Sequence, residues 1–299
     1  MLLPDQIEYI TREDSRFPPM LLEISDPPKG LYVRGNLKDH LCISVVGTRR
    51  CTPYGKRATF DIVQGVVSSG MGIVSGMAFG IDAEAHRAAL DCGGYTVAVL
   101  ATGIDDATLY PREHVAIARR ILESGGAIIS EQPPHSPSFK YAFPKRNRLI
   151  AGMTPATLVV EASTDSGSLI TARLALEENR EVMAVPGSIY SSVSDGCHTL
   201  LKLGAKLVRN ADDVLKTIAF DRPELMAESR ASLPMTEAER RVYAILDSPM
   251  HIDDLADKLG LSAAAISATL TLLDMKGYVV HQAGQIWLKK AVFAKSSIK

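Results

Sequence analysis

The sequence predicts an α/β protein built on a doubly wound, mainly parallel sheet, with a smaller helical unit behind it. Three observations carry that prediction. Short apolar, β-branched runs recur at 42–46, 71–75, 95–100, 127–130, 156–161 and 181–185. Helical stretches lie between them, at about 53–69, 80–92, 112–124, 145–153 and 168–179, with helix-period apolar spacing clear in Ala58-Ile62-Val66 and Leu169-Ala172-Leu176. Past a charged, proline-bearing break at 219–234 the alternation stops, and helix, helix–turn–helix and hairpin patterns follow. Alternating strand and helix argue for parallel strands joined by right-handed helical crossovers.

Composition narrows the function classes. With 299 residues, 46% hydrophobic and 22% charged, the chain suits a soluble globular protein of about two domains. A net charge of -1 gives no global support for nucleic-acid binding, so that case must rest on local clusters. Cys42, Cys51, Cys92 and Cys197 are scattered and form no Cys-x-x-Cys pair. Reduced thiols in a cytoplasm are therefore expected rather than disulfides or zinc. No apolar run approaches the ~18 residues of a membrane span, and Asp5 and Glu8 interrupt any signal-peptide pattern.

Residues 1–40 carry Pro18-Pro19 and Pro27-Pro28 and read as an extended lead-in lying on the next domain, with Leu31–Arg34 as a short strand. The main domain is 41–218. Its first strand, Ile43-Ser44-Val45-Val46, is continuously apolar, as a strand covered on both faces requires. It runs into Gly47-Thr48-Arg49-Arg50. Gly47 permits a sharp turn and close approach of a ligand. Backbone N–H groups at a turn feeding a helix form an anion site, and two arginines would add forked donors for phosphate. The same residues would also serve as a strand end with two solvated arginines.

The pattern repeats. Gly72–Ser75 leads into Gly76-Met77-Ala78-Phe79-Gly80 and a helix opening at Ile81-Asp82. This is neither the Gly-x-Gly-x-x-Gly fingerprint nor a phosphate loop ending in Gly-Lys-Ser/Thr. It can equally be a tight structural turn. Asp82 and His86, one helical turn apart, suit either an acid–base pair or a hydrogen bond on the helix surface. After the proline-rich loop 132–138, Lys145, Arg146, Asn147 and Arg148 open a helix beside Phe139, Tyr141 and Phe143. Cations among aromatics suit a nucleic-acid backbone with stacked bases, although a solvated basic helix end has the same composition. Glu161–Ala172 is a further strand–turn–helix, with Ser166, Gly167, Ser168 and Thr171 at the helix start. Those groups make a phosphate or sugar cradle, or plain N-caps. Repetition favours the functional reading, because ligands of open α/β sheets bind at strand carboxyl ends. A turn-rich stretch from Pro186 to Gly196, a helix at 196–203, a strand at 206–208 and a helix from about 211 complete the domain.

The stretch 219–234 reads as a linker. In 235–290, Thr236 and Glu239 have capping-box spacing, Ser262 caps Ala263–Asp274, and 277–280 with 285–288 form a hairpin, which together suggest a winged helix. Its recognition-helix position, Ser262–Leu270, lacks Lys, Arg, Asn and Gln, the residues that read bases in the major groove. A protein-contact or weak duplex-contact module fits better than a sequence reader. Residues 291–299 read as a basic, loose tail. No serine sits in a nucleophile elbow, no cysteine has an evident base, and no His/Asp/Glu set has metal spacing. The site as read binds and does not obviously react, and no cofactor or metal is expected.

In chain order, Asp26-Pro27-Pro28 with Leu31–Gly35, Val46–Arg50, Val74–Asp82 with His86, Phe143–Gly152, Val160-Glu161-Ala162, Ser166–Ala172 and Val185–Ile189 resemble the DNA-processing protein A (DprA, or Smf) family. The likeness runs from about Asp26 to Val208. It implies an extended Rossmann-like domain that binds single-stranded DNA, forms dimers and helps load the RecA recombinase onto incoming DNA during natural transformation. Arg49, Gly76, Lys145, Arg146, Arg148 and Ser166–Ser168 match the family's pocket motifs. Many members carry a helical N-terminal domain, which this chain begins too late to hold. Where the family often has Ser-x-Gly-x-Asn, the chain has Ser194-Asp195-Gly196-Cys197-His198.

The resulting expectation is a cytoplasmic, non-enzymatic protein that binds single-stranded DNA and hands it to a recombinase. Its contacts would be Gly47, Thr48, Arg49, Arg50, Gly76, Lys145, Arg146, Asn147, Arg148, Ser166, Gly167, Ser168 and Thr171. A nucleotide-binding or nucleotide-hydrolysing Rossmann-like enzyme is the alternative. Against it, related enzymes resemble a pattern with a Pro-Gly-Gly turn and a nearby catalytic glutamate, where this chain has Ser166-Gly167-Ser168 and a more distant Glu177. A ligand-sensing transcription regulator is a third reading, opposed by the alanine-rich recognition helix.

Overall fold

The computed structural model describes residues 6–139, 141–221, 235–246, 248–276, 278–282 and 286–289. The chain divides into two compact units, 1–223 and 224–299.

The first unit opens with β1 (Ile7–Thr11) and β2 (Gly30–Gly35). The alternating elements follow: β3 (Cys42–Val46), α1 (Pro53–Ser68), β4 (Gly72–Ser75), α2 (Ile81–Asp91), β5 (Thr96–Leu100), α3 (Val115–Glu123), β6 (Ala127–Ser130), α4 (Ala142–Gly152), β7 (Ala156–Val159), α5 (Gly167–Glu177), β8 (Glu181–Ala184), α6 (Asp195–Lys202), β9 (Lys206–Leu207) and α7 (Ala211–Asp221). The strands form one sheet in the order β1-β2-β6-β5-β4-β3-β7-β8-β9. The strands from β6 to β9 in that order are parallel. Helices cover both faces, so the central strands are buried throughout. Ile43, Val45, Ile73, Val99 and Leu158 are inaccessible to solvent, each worth ~1.5–3 kcal/mol of burial.

Residues 7–35 extend this sheet rather than merely lying on it. β1 pairs antiparallel with β2, and β2 pairs antiparallel with β6. Arg12 ties the segment by donating to the Pro28 carbonyl at 2.8 Å. Helix α4 begins at Ala142, three residues before the expected start. Pro144 falls in its first turn, where a missing N–H goes unused. Helix α1 has Thr52 as N-cap, its side chain accepting from Gly55 N at 3.1 Å, and Pro53 at the first position.

The second unit contains α8 (Glu237–Ile245), β10 (Met250–His251), α9 (Ile252–Leu259), α10 (Ala263–Met275), β11 (Val279–Gln282) and β12 (Ile286–Lys289). Thr236 and Glu239 form the expected capping box. Gly260 ends α9 in the left-handed region at φ +64°. Val242, Leu255, Ile266, Leu270 and Leu273 make a separate core. The hairpin gains β10 as a third strand, in the order β10-β12-β11. Helix α7 reaches Asp221; the rest of the expected linker, 222–234, and the expected tail, 291–299, lie outside the described residues. No single helix among the described residues is long and apolar enough to cross a membrane.

Candidate nucleic-acid interface

Strand order reverses between β3 and β7: chain order runs outward from β3 through β4, β5 and β6 on one side, then resumes at β7 on the other. At such a switch point the loops beyond the carboxyl ends part and leave a crevice. Here it is an open cleft of about 720 Å³, lined by the turns after β3 and β7, the starts of α4 and α5, and Tyr110 and Ser138 from the loops after β5 and β6.

The turn after β3 is stapled at both ends. Thr48 N donates to Glu161 O at 2.7 Å, and Thr48 O accepts from Ile81 N at 3.2 Å. A Cβ on Gly47 would lie 2.6 Å from Ile81 Cγ1 and 2.8 Å from Glu161 O, so the turn requires glycine. Farther on, the Glu161 carboxylate, 2% exposed, accepts from Thr52 N at 2.9 Å and Thr52 Oγ1 at 2.5 Å. Gly55 leaves it room: a Cβ there would fall 2.2 Å from Glu161 Oε2. Arg49 and Arg50 stand exposed between the staples, and neither has a carboxylate partner among the described residues. The Arg49 guanidinium sits 5.7 Å from the centre of the Phe143 ring, a cation–π distance.

Opposite, Ser166 caps α5: its Oγ accepts from Ser168 N at 3.4 Å and lies 2.7 Å from Ser168 Oγ. A Cβ added to Gly167 would meet nothing, so this helix start is open. Thr171 lines the cleft with 2% exposure. Asn147 also lines it, with Nδ2 facing Gly167 O at 3.5 Å.

The turn after β4 is different, because its anion comes from within the chain. Gly76 N and Ala78 N donate to Asp82 Oδ2 at 3.2 and 3.4 Å. Arg146, 7% exposed, donates to Gly76 O at 2.8 Å and to Val99 O. Its guanidinium fills the space that a Cβ on Gly76 would occupy, 2.7 Å from Nη2. Burial pushes the Asp82 carboxyl above its usual range, opposed by Arg146 and the turn N–H groups. Burial likewise brings Arg146 down to about 10, with Asp82 opposing. His86 takes no part with Asp82. Its Nδ1 meets Thr96 Oγ1 at 2.8 Å, and burial drives its pKa down to about 3.

The sequence-derived candidates therefore separate. Gly47, Thr48, Arg49, Arg50, Arg146, Asn147, Ser166, Gly167, Ser168 and Thr171 share the cleft lining. Gly76 lines an adjoining recess with its N–H already committed. Lys145 is exposed but faces a shallow crevice with Glu131 and Gln132. Arg148 turns inward, bound by both Glu131 oxygens at 2.6 Å, with Asp26 Oδ2 3.1 Å from its Nε. Sequence reasoning did not single out Tyr110, 44% exposed and in edge contact with Phe143 at 6.1 Å. An aromatic before a proline in a strand-following loop was the available signal. Phe139 and Tyr141 stack at 5.6 Å and 13°, both exposed.

A doubly wound sheet whose switch-point cleft is lined by exposed arginines and a helix N-terminus, on a chain that also carries a winged helix, defines a class of Rossmann-like proteins. Within that class, residues 8–219 match the model of DNA recombination-mediator protein A, and residues 226–285 match the DprA winged helix domain. The chain belongs to the DNA recombination-mediator protein A (DprA/Smf) family. It is 38% identical over 297 residues to Protein Smf of Escherichia coli K12, covering 95% of this chain and 78% of that one. It is 43% identical over 210 residues to DNA processing protein DprA of Streptococcus pneumoniae, covering 69% and 73%. The X-ray structure of DprA from S. pneumoniae superposes with a TM-score of 0.66 at 40% identity, covering 71% of this chain and 75% of that one. DNA processing protein A from Helicobacter pylori, described for its single-stranded DNA binding mode, gives 0.64 at 30% identity, covering 73% and 99%.

Proposed function

We propose that the protein binds single-stranded DNA in the switch-point cleft, without regard to sequence, and passes it to the RecA recombinase in the cytoplasm. The observation that carries the reading is the stapled Thr48–Thr52 turn. It presents Arg49 and Arg50, free of carboxylate partners among the described residues, across the cleft from the open N-terminus of α5. Arginine forks and helix N–H groups are phosphate donors. Exposed Tyr110, Phe139 and Tyr141 offer π-faces that unpaired bases can reach and stacked duplex bases cannot. The H. pylori relative's single-stranded DNA binding supports the same assignment. The recombinase hand-over rests on family resemblance. A homodimer through the Rossmann-like unit is supported by apolar residues left exposed around the β9 side of the sheet: Tyr190 at 93%, Leu203 at 77%, Ile189 at 75% and Leu207 at 49%. The residues lining the cleft bind and position; none is placed as a nucleophile with its base.

A salt series with a labelled single-stranded oligonucleotide tests the reading. Arg49→Ala combined with Arg50→Ala, both on the cleft lining, should weaken binding to any sequence. It should also flatten the log–log salt slope by about 0.7 for each phosphate that the protein no longer neutralises. Unchanged affinity at moderate salt would remove the cleft as the DNA site.

A further inference from the structure

Two loops form the wall of the cleft away from α5. One follows β5, runs from Ala101 to Pro111 and carries Tyr110; the other follows β6, covers 131–138 and carries Ser138, with Phe139 and Tyr141 just beyond. Neither loop has regular structure to hold it. One carboxylate joins them. Asp105 Oδ1 accepts from Ala107 N at 3.0 Å and Thr108 N at 3.2 Å. Its Oδ2 accepts from Thr108 Oγ1 at 2.5 Å and, across the gap between loops, from His135 N at 2.7 Å. His135 Nδ1 lies 3.4 Å from Oδ1, and His135 has the strained φ of +67°.

Gly103 N donates to Ser136 O at 2.9 Å, a second bond between the loops at the same joint. A Cβ on Gly103 would collide with Thr108 Oγ1 at 2.5 Å and with Asp105 Oδ2 and His135 N at 2.9 Å. The carboxylate is 13% exposed. Burial would raise its pKa, but the hydrogen bonds from Thr108 and from the His135 N–H outweigh that and hold it far below the usual carboxylate range. It is therefore ionised at any working pH, an acceptor on every side. Arg34 and Arg112 brace the same loop from elsewhere, through Asp106 Oδ1 at 2.6 Å and Asp106 O at 2.7 Å.

We propose that Asp105 is a positioning residue for DNA: it locks the two loops together and so fixes Tyr110, against Phe143 on the cleft wall, and the stacked Phe139–Tyr141 pair that follows Ser138, at the spacing that receives bases. The proposal rests on the cleft being the single-stranded DNA site. It makes a prediction whose sign simple electrostatics would reverse. Removing a negative charge near a polyanion should tighten binding, whereas removing the lock should weaken it. An asparagine in place of Asp105 keeps the shape. Its amide nitrogen, however, would face the His135 N–H or the turn N–H groups, donor against donor.

The experiment measures full-length wild type, Asp105→Asn, Gly103→Ala and Arg49→Ala on two labelled oligonucleotides of equal length. One carries bases, and the other is abasic over its central stretch. Asp105→Asn and Gly103→Ala should bind the base-bearing strand about tenfold more weakly, the scale of one stacked base. Their salt slopes should stay at the wild-type value, because the same phosphates remain neutralised. On the abasic strand both should equal wild type, while Arg49→Ala stays weaker. Gly103→Ala loosens the same joint by a separate route and decides the matter if Asp105→Asn does not fold. Wild-type affinity in the variants, tighter binding, or an equal loss on both strands would overturn the proposal. If wild type ignores both strands, the cleft assignment falls and this inference with it. If Arg49→Ala alone weakens binding, the cleft stands and only the role of Asp105 falls.

Discussion

Arg148→Ala is the sharpest test of which arginines serve the fold and which serve the ligand. Its side chain is 10% exposed and bound to Glu131, itself 17% exposed; the bridging Asp26 is 72% exposed. Removing one partner of a buried ion pair costs ~3–5 kcal/mol, since the other charge is left uncompensated. The partial exposure of Glu131 draws the figure to the lower end, and the exposed Asp26 bridge adds little. A loss of about 3 kcal/mol is a large part of the ~5–15 kcal/mol that stabilises a domain. In a unit of this size it lowers the melting point by about 6–12 °C. Calorimetry reads that shift, and a salt series on a single-stranded oligonucleotide reads how many phosphates the variant neutralises below its melting point. The variant should melt early yet keep the wild-type salt slope. Arg49→Ala should do the reverse. An Arg148→Ala protein that melts with wild type while its slope flattens by about 0.7 would put the guanidinium on DNA and refute the reasoning.

Other outcomes follow from the same geometry. Gly80 has φ +75°, and a Cβ there would lie 2.1 Å from Thr48 O. Gly80→Ala should cost at least about 2 kcal/mol in urea unfolding, and should weaken single-stranded DNA binding because the Thr48 carbonyl anchors the arginine turn. Burial, with repulsion from His114 and Arg146, holds the pKa of His86 down to about 3 against an ordinary 6.5. The unfolded chain therefore takes up the proton first. The stability His86 contributes above 6.5 is lost as pH falls toward 3, amounting to about 1.4 kcal/mol one unit below 6.5. His86→Gln should flatten that part of the stability–pH curve, and an unchanged slope would show that another group sets it. Leu203→Glu, at a position 77% exposed, should leave stability within about 0.5 kcal/mol while abolishing a dimer in sedimentation. A wild-type sedimentation profile would move the interface elsewhere.

What the sequence made legible was whatever local pattern encodes. Val45-Val46 and Ala98-Val99 announce strands buried on both faces, and the 3.6-residue spacing of Ala58, Ile62 and Val66 announces α1. The convergence of strand-end turns followed from alternation alone. β1 escaped notice because it joins the sheet through β2, which pairs with β6, and no local signal records a pairing with residues 127–130. In the site, Arg49 and Ser166–Ser168 were readable from type and position. The fate of Arg146 and Arg148 was not. Both lie on a helix whose neighbours supply Gly76 O, Val99 O and Glu131, so charges that look solvated in a string are consumed by the interior. Nor could spacing reveal that Asp82 would turn back onto the N–H groups preceding it.

That backward turn has a consequence for how the molecule waits. Three strand–turn–helix junctions meet at the same end of the sheet, and the one after β4 carries its own permanent guest, the Asp82 carboxylate. With that seat filled and Arg146 held beside it, the floor of the cleft is complete without a ligand. A strand binding there as proposed would find no floor left to order and would be spared that entropic cost. On the reading proposed above, competing anions in solution would contest the junctions after β3 and β7 but find the one after β4 taken.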